Sequence, residues 1–116
     1  GSFYAEENAF CGSLVTDALR KLHMQKVFLF PYAVSLQQGI CDHQEEMYPP
    51  QQLLMNQGDL VYILVDSSKF ERKALLKISD MAPEYLYVTD SGLPEKLKEL
   101  YTENNMKIIS GKEDAL

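Results

Sequence analysis

The chain has 116 residues and a mass of 13.2 kDa, the size of one domain, since domains cluster near ~100–150 residues. Surface scaling gives ~6,400 Å² exposed when compact against ~19,000 Å² unfolded, so about two-thirds of the surface is buried. With 46% hydrophobic and 10% aromatic residues, the chain can build a core, which excludes disorder as a description of the whole. Acidic residues outnumber basic ones by 17 to 11, for a net charge of −6. A domain that grips DNA through phosphates needs a positive face, and this composition supplies none.

No apolar run approaches bilayer length, so no membrane contact is expected and cytoplasm is the default compartment. Gly1-Ser2 reads as an expression-tag remnant rather than a signal peptide, because no charged region and apolar stretch follow. The domain is therefore taken as residues 3–111, with a polar tail at 112–116. Cys11 and Cys41 are too few for a disulfide scaffold. With His23 and His43 they still lack the spacing of a closed zinc site, so neither a metal nor a cofactor is expected, and Cys41-Asp42-His43 reads as a polar loop.

In chain order, Leu14, Val15, Ala18, Leu19 and Leu22 recur at helical spacing behind a Ser13 cap, with Arg20, Lys21 and His23 at the dipole's negative end. Lys26–Phe30 is short, β-branched or aromatic, and stopped by Pro31, which predicts a buried strand. Residues 32–48 carry Gly39 and few periodic apolar positions, so an irregular connection is expected. Pro49-Pro50 opens a short helix through Leu53, Leu54 and Met55 that Gly58 terminates. Leu60–Val65 is apolar on both faces, as in a central strand covered by helices on both sides. Ala74–Ile78 fits a strand or a helical turn. Tyr85–Val88 predicts a strand, Pro94 to about Asn105 a helix with Leu93, Leu97, Leu100 and Tyr101 on one stripe, and Met106–Ile109 a last strand. The alternation of strands and helices argues an α/β sandwich of three layers on a mostly parallel sheet.

Ligands in open α/β sheets sit beyond the carboxyl ends of the strands. Two polar strand endings therefore stand out. Asp66-Ser67-Ser68-Lys69 places a carboxylate, two hydroxyls and an ammonium together: the lysine suits a phosphate and the carboxylate suits sugar hydroxyls. The alternative is a plain loop in which Asp66 satisfies nearby backbone N–H groups. For Thr89-Asp90, ordinary capping before a Pro-initiated helix is the stronger reading. Lys69, Arg72, Lys73 and Lys77 form a basic cluster large enough for one anionic small molecule. There is no Gly-x-Ser-x-Gly elbow and no Gly-rich phosphate loop. Glu45 and Glu46 fall in a charged, solvated loop unsuited to acid–base work.

Together, Asp66-Ser67-Ser68-Lys69-Phe70 behind an apolar strand, and Val88-Thr89-Asp90-Ser91-Gly92-Leu93-Pro94, resemble the C-terminal half of the sensor domain of DeoR-family transcriptional repressors. Phe10-Cys11-Gly12, Lys26-Val27-Phe28-Leu29 and Gly39-Ile40 fall where that family has its corresponding helix, strand and loop glycine. The resemblance runs from about Phe3 to Ile109. It implies a fold similar to ribose-5-phosphate isomerase and coenzyme A transferases with catalysis lost, truncated here on the N-terminal side. It also implies a domain that senses phosphorylated sugars and controls a DNA-binding helix-turn-helix lying outside this chain. By the match, Asp66, Ser67, Ser68 and Lys69 would contact the effector, with Gly39, Thr89 and Asp90 behind them. The competing readings are a catalytic sugar-phosphate isomerase and an oligomerisation module without ligand.

The pattern also departs from the family. The early strand and Gly/Thr-rich phosphate loop are not in this chain, and Pro31-Tyr32 and Pro49-Pro50 stand where the family more often has a glycine and an acidic helix start. A sheet truncated in this way exposes an edge, so a homodimer or homotetramer is expected. With half of a pocket lacking, the chain alone is expected to show little affinity for phosphorylated hexoses and pentoses. Calorimetry checks this: tight binding would show the pocket to be complete.

Overall fold

The computed structural model describes residues 2–4, 9–11, 24–43, 45 and 48–111, the first two stretches as backbone alone. The helix expected over 14–22 lies outside the described residues. Strands β1 (Ser2–Tyr4) and β2 (Ala9–Cys11) pair antiparallel, Ser2 opposite Cys11. Ser2, set aside as a tag remnant, thus has strand backbone, since pairing asks only for N–H and C=O groups.

The main sheet is four-stranded and wholly parallel, in the order β3 (Met24–Leu29), β6 (Gly58–Leu64), β8 (Leu86–Thr89), β9 (Lys107–Ser110). The connections carry α1 (Tyr48–Gln57) before β6 and α2 (Glu95–Glu103) before β9. The α/β architecture on a mostly parallel sheet is therefore present. Gly58 does not end the helix by a turn: it is already the first residue of β6, and a Cβ there would sit 2.5 Å from Val27 Cγ2. Close approach of β3 and β6 requires glycine at this point.

The irregular connection expected over 32–48 is instead largely ordered as strands. β4 (Ala33–Ser35) and β5 (Gly39–Asp42) form a hairpin, and β7 (Leu76–Ser79) pairs with β5 to complete a three-stranded antiparallel sheet. The undecided Ala74–Ile78 segment is thus mostly strand. Strands of three and four residues are too short to show a period, and every residue of β4 and β5 is buried, so no alternation marks them. Gly39 makes the hairpin: it takes φ +82°, and a Cβ would stand 2.3 Å from the Ser79 carbonyl oxygen.

One apolar core joins these parts. It takes Val27 and Leu29 from β3, Val61 and Ile63 from β6, Tyr87 from β8 and Ile108 from β9, which are alternate positions on one face of the sheet. Against that face lie Met55 of α1, Tyr101 of α2, and Val34, Ile40 and Ile78 of the small sheet. On the opposite face Phe28 is 53% and Leu60 42% exposed, while Tyr62 is buried and stacks on Phe28; α1 and α2 pack on the first face. Among the described residues no helix is long and apolar enough to cross a membrane.

Tyr87 carries the one phenol fully enclosed on this face that finds both of its partners locally. Its hydroxyl donates to the Ala82 carbonyl (2.9 Å) and accepts from the Ala82 N–H (2.7 Å), and burial raises its pKa. Tyr87→Phe strips both partners from a part-buried turn, and unmet backbone groups cost about 1–3 kcal/mol. A fall of that size in urea-unfolding stability is expected, with the far-UV circular dichroism unchanged.

Candidate functional site

β3 and β6 run parallel, so their carboxyl ends emerge at the same edge of the sheet. Both exits then run into the small sheet. After β3, Pro31 and Tyr32 lead to β4, and the Tyr32 N–H donates to the Cys41 carbonyl of β5 (3.1 Å). After β6 the chain makes a 3₁₀ turn over Ser67–Lys69, and Phe70 bridges to Val34 of β4. The gap between these exits is a cleft of ≈ 230 Å³ lined by Phe30, Pro31, Tyr32, Asp42, His43, Leu64, Val65, Asp66 and Lys69. Pockets for drug-sized ligands run to about 300–1,000 Å³, so this one suits a small metabolite.

Asp66 and Lys69 thus meet in one cleft, three positions apart in sequence. Asp66 caps the turn, accepting the Ser68 N–H at 3.2 Å, while its carbonyl accepts the Lys69 N–H at 2.9 Å. That local bonding is the loop alternative weighed above, and it coexists with the cleft. Lys69 is half-buried, its Nζ 4.4 Å from the centroid of the Tyr32 ring. The amine is therefore turned into the cleft. Tyr32 meets the His43 ring edge-on at 4.4 Å. Asp42 is buried; its Oδ1 accepts the His43 backbone N–H (2.8 Å) and its Oδ2 accepts Gln51 Nε2 of α1 (3.0 Å).

The other sequence-chosen residues stand elsewhere. Ser67, Ser68, Gly39, Thr89 and Asp90 do not line the cleft. Gly39 serves its hairpin, and Thr89 lies in β8 beside Ser110 of β9. Asp90 ties the lysine-bearing turn to the end of β8. Its Oδ2 accepts the Ser67 N–H (3.0 Å) and its Oδ1 the Gly92 N–H (2.7 Å), with Gly92 packed so close that a Cβ would fall 2.9 Å from Ser67 Oγ. The basic cluster disperses: Lys77 pairs with Asp80, and Arg72 and Lys73 are exposed. Of these four, Lys69 alone lines the cleft.

Sequence reasoning missed Tyr32, Asp42 and His43. Their signal was weak, since Asp42 lies in the small sheet that periodicity could not reveal and Tyr32 and His43 flank its strands. Asp42-His43 was seen as a polar loop; it is instead the end of a buried strand, with Asp42 held between two N–H donors.

The parallel α/β sheet thus carries an open, amine-bearing cleft at its carboxyl edge, the place where open α/β sheets hold ligands. The DeoR C-terminal sensor domain family matches residues 1–91, and the chain belongs to that family. It is 25% identical over 109 residues to a protein of Escherichia coli O157:H7 named as an aga operon transcriptional repressor, and 24% identical over 109 residues to an L-fucose operon activator of Haemophilus influenzae. Both alignments cover 94% of this chain, which spans 40% and 44% of the two relatives' lengths.

Hydrogen bonds from the Ser67 N–H, the Ser67 hydroxyl and the Gly92 N–H hold the Asp90 carboxyl at about 2, below its ordinary 3.8. A depressed carboxylate pKa contributes stability above the unfolded value and loses it as pH falls through the folded one. Relative to unstructured amides at the same pH, Ser67 and Gly92 are therefore expected to lose exchange protection between about pH 4 and pH 2, ahead of the core strands, and to show little protection at any pH in Asp90→Ala.

Proposed function

We propose that this domain senses a phosphorylated sugar without catalysing a reaction, as the regulatory part of a longer DNA-binding transcriptional regulator of carbohydrate metabolism. One observation carries the reading: Asp66 and Lys69 line the same cleft at the carboxyl edge of the parallel sheet. An ammonium suits a phosphate oxygen, and carboxylates suit sugar hydroxyls. Family membership and the relatives' names support regulation, and the L-fucose in one of those names supports a sugar as the class of effector.

The geometry favours binding over catalysis. An isomerase needs a carboxylate free to take a proton from carbon. Both Asp42 oxygens already accept N–H bonds, and Asp66 caps its own turn. In this reading DNA contact belongs to an N-terminal helix-turn-helix outside the chain, which fits the net charge of −6. Homo-oligomerisation is part of the proposal, with β9 offering a sheet edge paired on one side by β8 alone among the described residues.

Titration of the ¹⁵N-labelled chain with ribose 5-phosphate and hexose 6-phosphates, followed by NMR at millimolar ligand, tests the assignment. Shifts are expected to concentrate at Tyr32, His43, Asp66 and Lys69. A charge-assisted hydrogen bond is worth about 1.5–3 kcal/mol, so Lys69→Ala is expected to weaken binding about 10- to 100-fold, while Lys73→Ala leaves it unchanged. Equal effects of the two variants, or shifts centred away from the cleft, would remove the basis for the sensor site.

A further inference from the structure

We propose that Tyr32 is a positioning residue: its ring holds the Lys69 ammonium inside the cleft, ready for the anionic group of the ligand. The inference rests on the reading of the cleft as the effector site and adds what keeps its cation in place. A lysine side chain has four rotatable bonds and a strongly hydrated head. On a turn at the rim of a sheet it would swing into solvent unless something retained it. Here Nζ sits 4.4 Å from the Tyr32 centroid, within the ≈ 6 Å range where a ring's negative face attracts a cation.

The ring itself is held from three directions. Pro31 restricts the backbone before it, the Tyr32 N–H is bonded to the Cys41 carbonyl, and His43 packs edge-on at 4.4 Å with an interplanar angle of 79°. His43 follows Asp42, whose carboxylate takes its backbone N–H and the Gln51 side chain. Order in the small sheet and α1 thus passes to the ring, and from the ring to the ammonium.

An ammonium carries three N–H donors. The ring face engages one side of it and leaves the others for phosphate or carboxylate oxygens in the cleft, so ring and ligand do not compete. Immobilising a flexible side chain on binding costs about 0.5–1.5 kcal/mol. With the ring in place, that cost is met before the ligand arrives. Loss of the ring is therefore expected to weaken anion binding about 2- to 10-fold. The phenol hydroxyl takes no part, so Tyr32→Phe preserves the effect.

Two readouts on the 116-residue chain test this. In the ligand-free protein, the Lys69 ε-methylene protons should be displaced upfield by the ring current, with the displacement kept in Tyr32→Phe and lost in Tyr32→Leu and Tyr32→Ala. In a titration with inorganic phosphate and with ribose 5-phosphate, Tyr32→Phe should match wild type while Tyr32→Leu and Tyr32→Ala bind about 2- to 10-fold more weakly. Absence of the upfield displacement overturns the positioning role whatever binds. The displacement together with unchanged binding in Tyr32→Leu and Tyr32→Ala overturns its link to the ligand. Wild type and Lys69→Ala responding alike to phosphate overturns the effector reading of the cleft instead, and the ligand half of this inference with it. Tyr32→Leu keeps an apolar side chain of similar bulk, so a folding defect in Tyr32→Ala does not blur the result.

Discussion

The parallel pairing of β3 with β6 sets where everything else must go. Two parallel strands leave the sheet at the same edge, and here both exits turn the same way, into a small antiparallel sheet packed on one face. The Val34–Phe70 bridge and the Glu71 N–H bonded to the Val34 carbonyl at 2.7 Å close the gap behind them. What is left between the exits is the cleft. Its walls are thus consequences of strand direction, and its polar groups are whatever the two exits and the end of β5 happen to carry.

That arrangement explains a division of labour among the acidic side chains. Asp90 and Asp42 act on protein groups: one anchors the turn after β6, the other anchors His43 and α1. Asp42 also lines the cleft, and Asp66 both caps its turn and lines it. Among the described residues, Lys69 is the one lysine or arginine lining the cleft. On the proposed reading, a net-acidic domain would hold an anion by the placement of this ammonium and not by its overall field, which makes the position of that ammonium the sensitive quantity.

Legibility followed length and period. β6 and α2 were readable because Leu60–Val65 is a continuous apolar run and Leu97 and Tyr101 share a helical stripe. β4 and β5 were not, because strands of three and four residues buried on all sides have no alternation to read. The pairing of β5 with β7 joins residues far apart in sequence (Ile40 with Ser79), and nothing local announces it. The candidate site divided along the same line. Asp66 and Lys69 were visible as a polar end to a strong strand; Tyr32, Asp42 and His43 were hidden in the segment that looked irregular.

By itself, then, the order of residues determined the α/β class, the main strands and the helix before β9, and the polar turn at 66–69, since each depends on neighbours within one element. Tertiary structure alone decided which face of the sheet the described helices pack on, that Asp90 serves the backbone of a neighbouring loop, and that the tyrosine after β3 lies under the lysine of the turn after β6. Those outcomes depend on which distant strands lie side by side, a property of three-dimensional packing that hydrophobic period and turn chemistry do not encode.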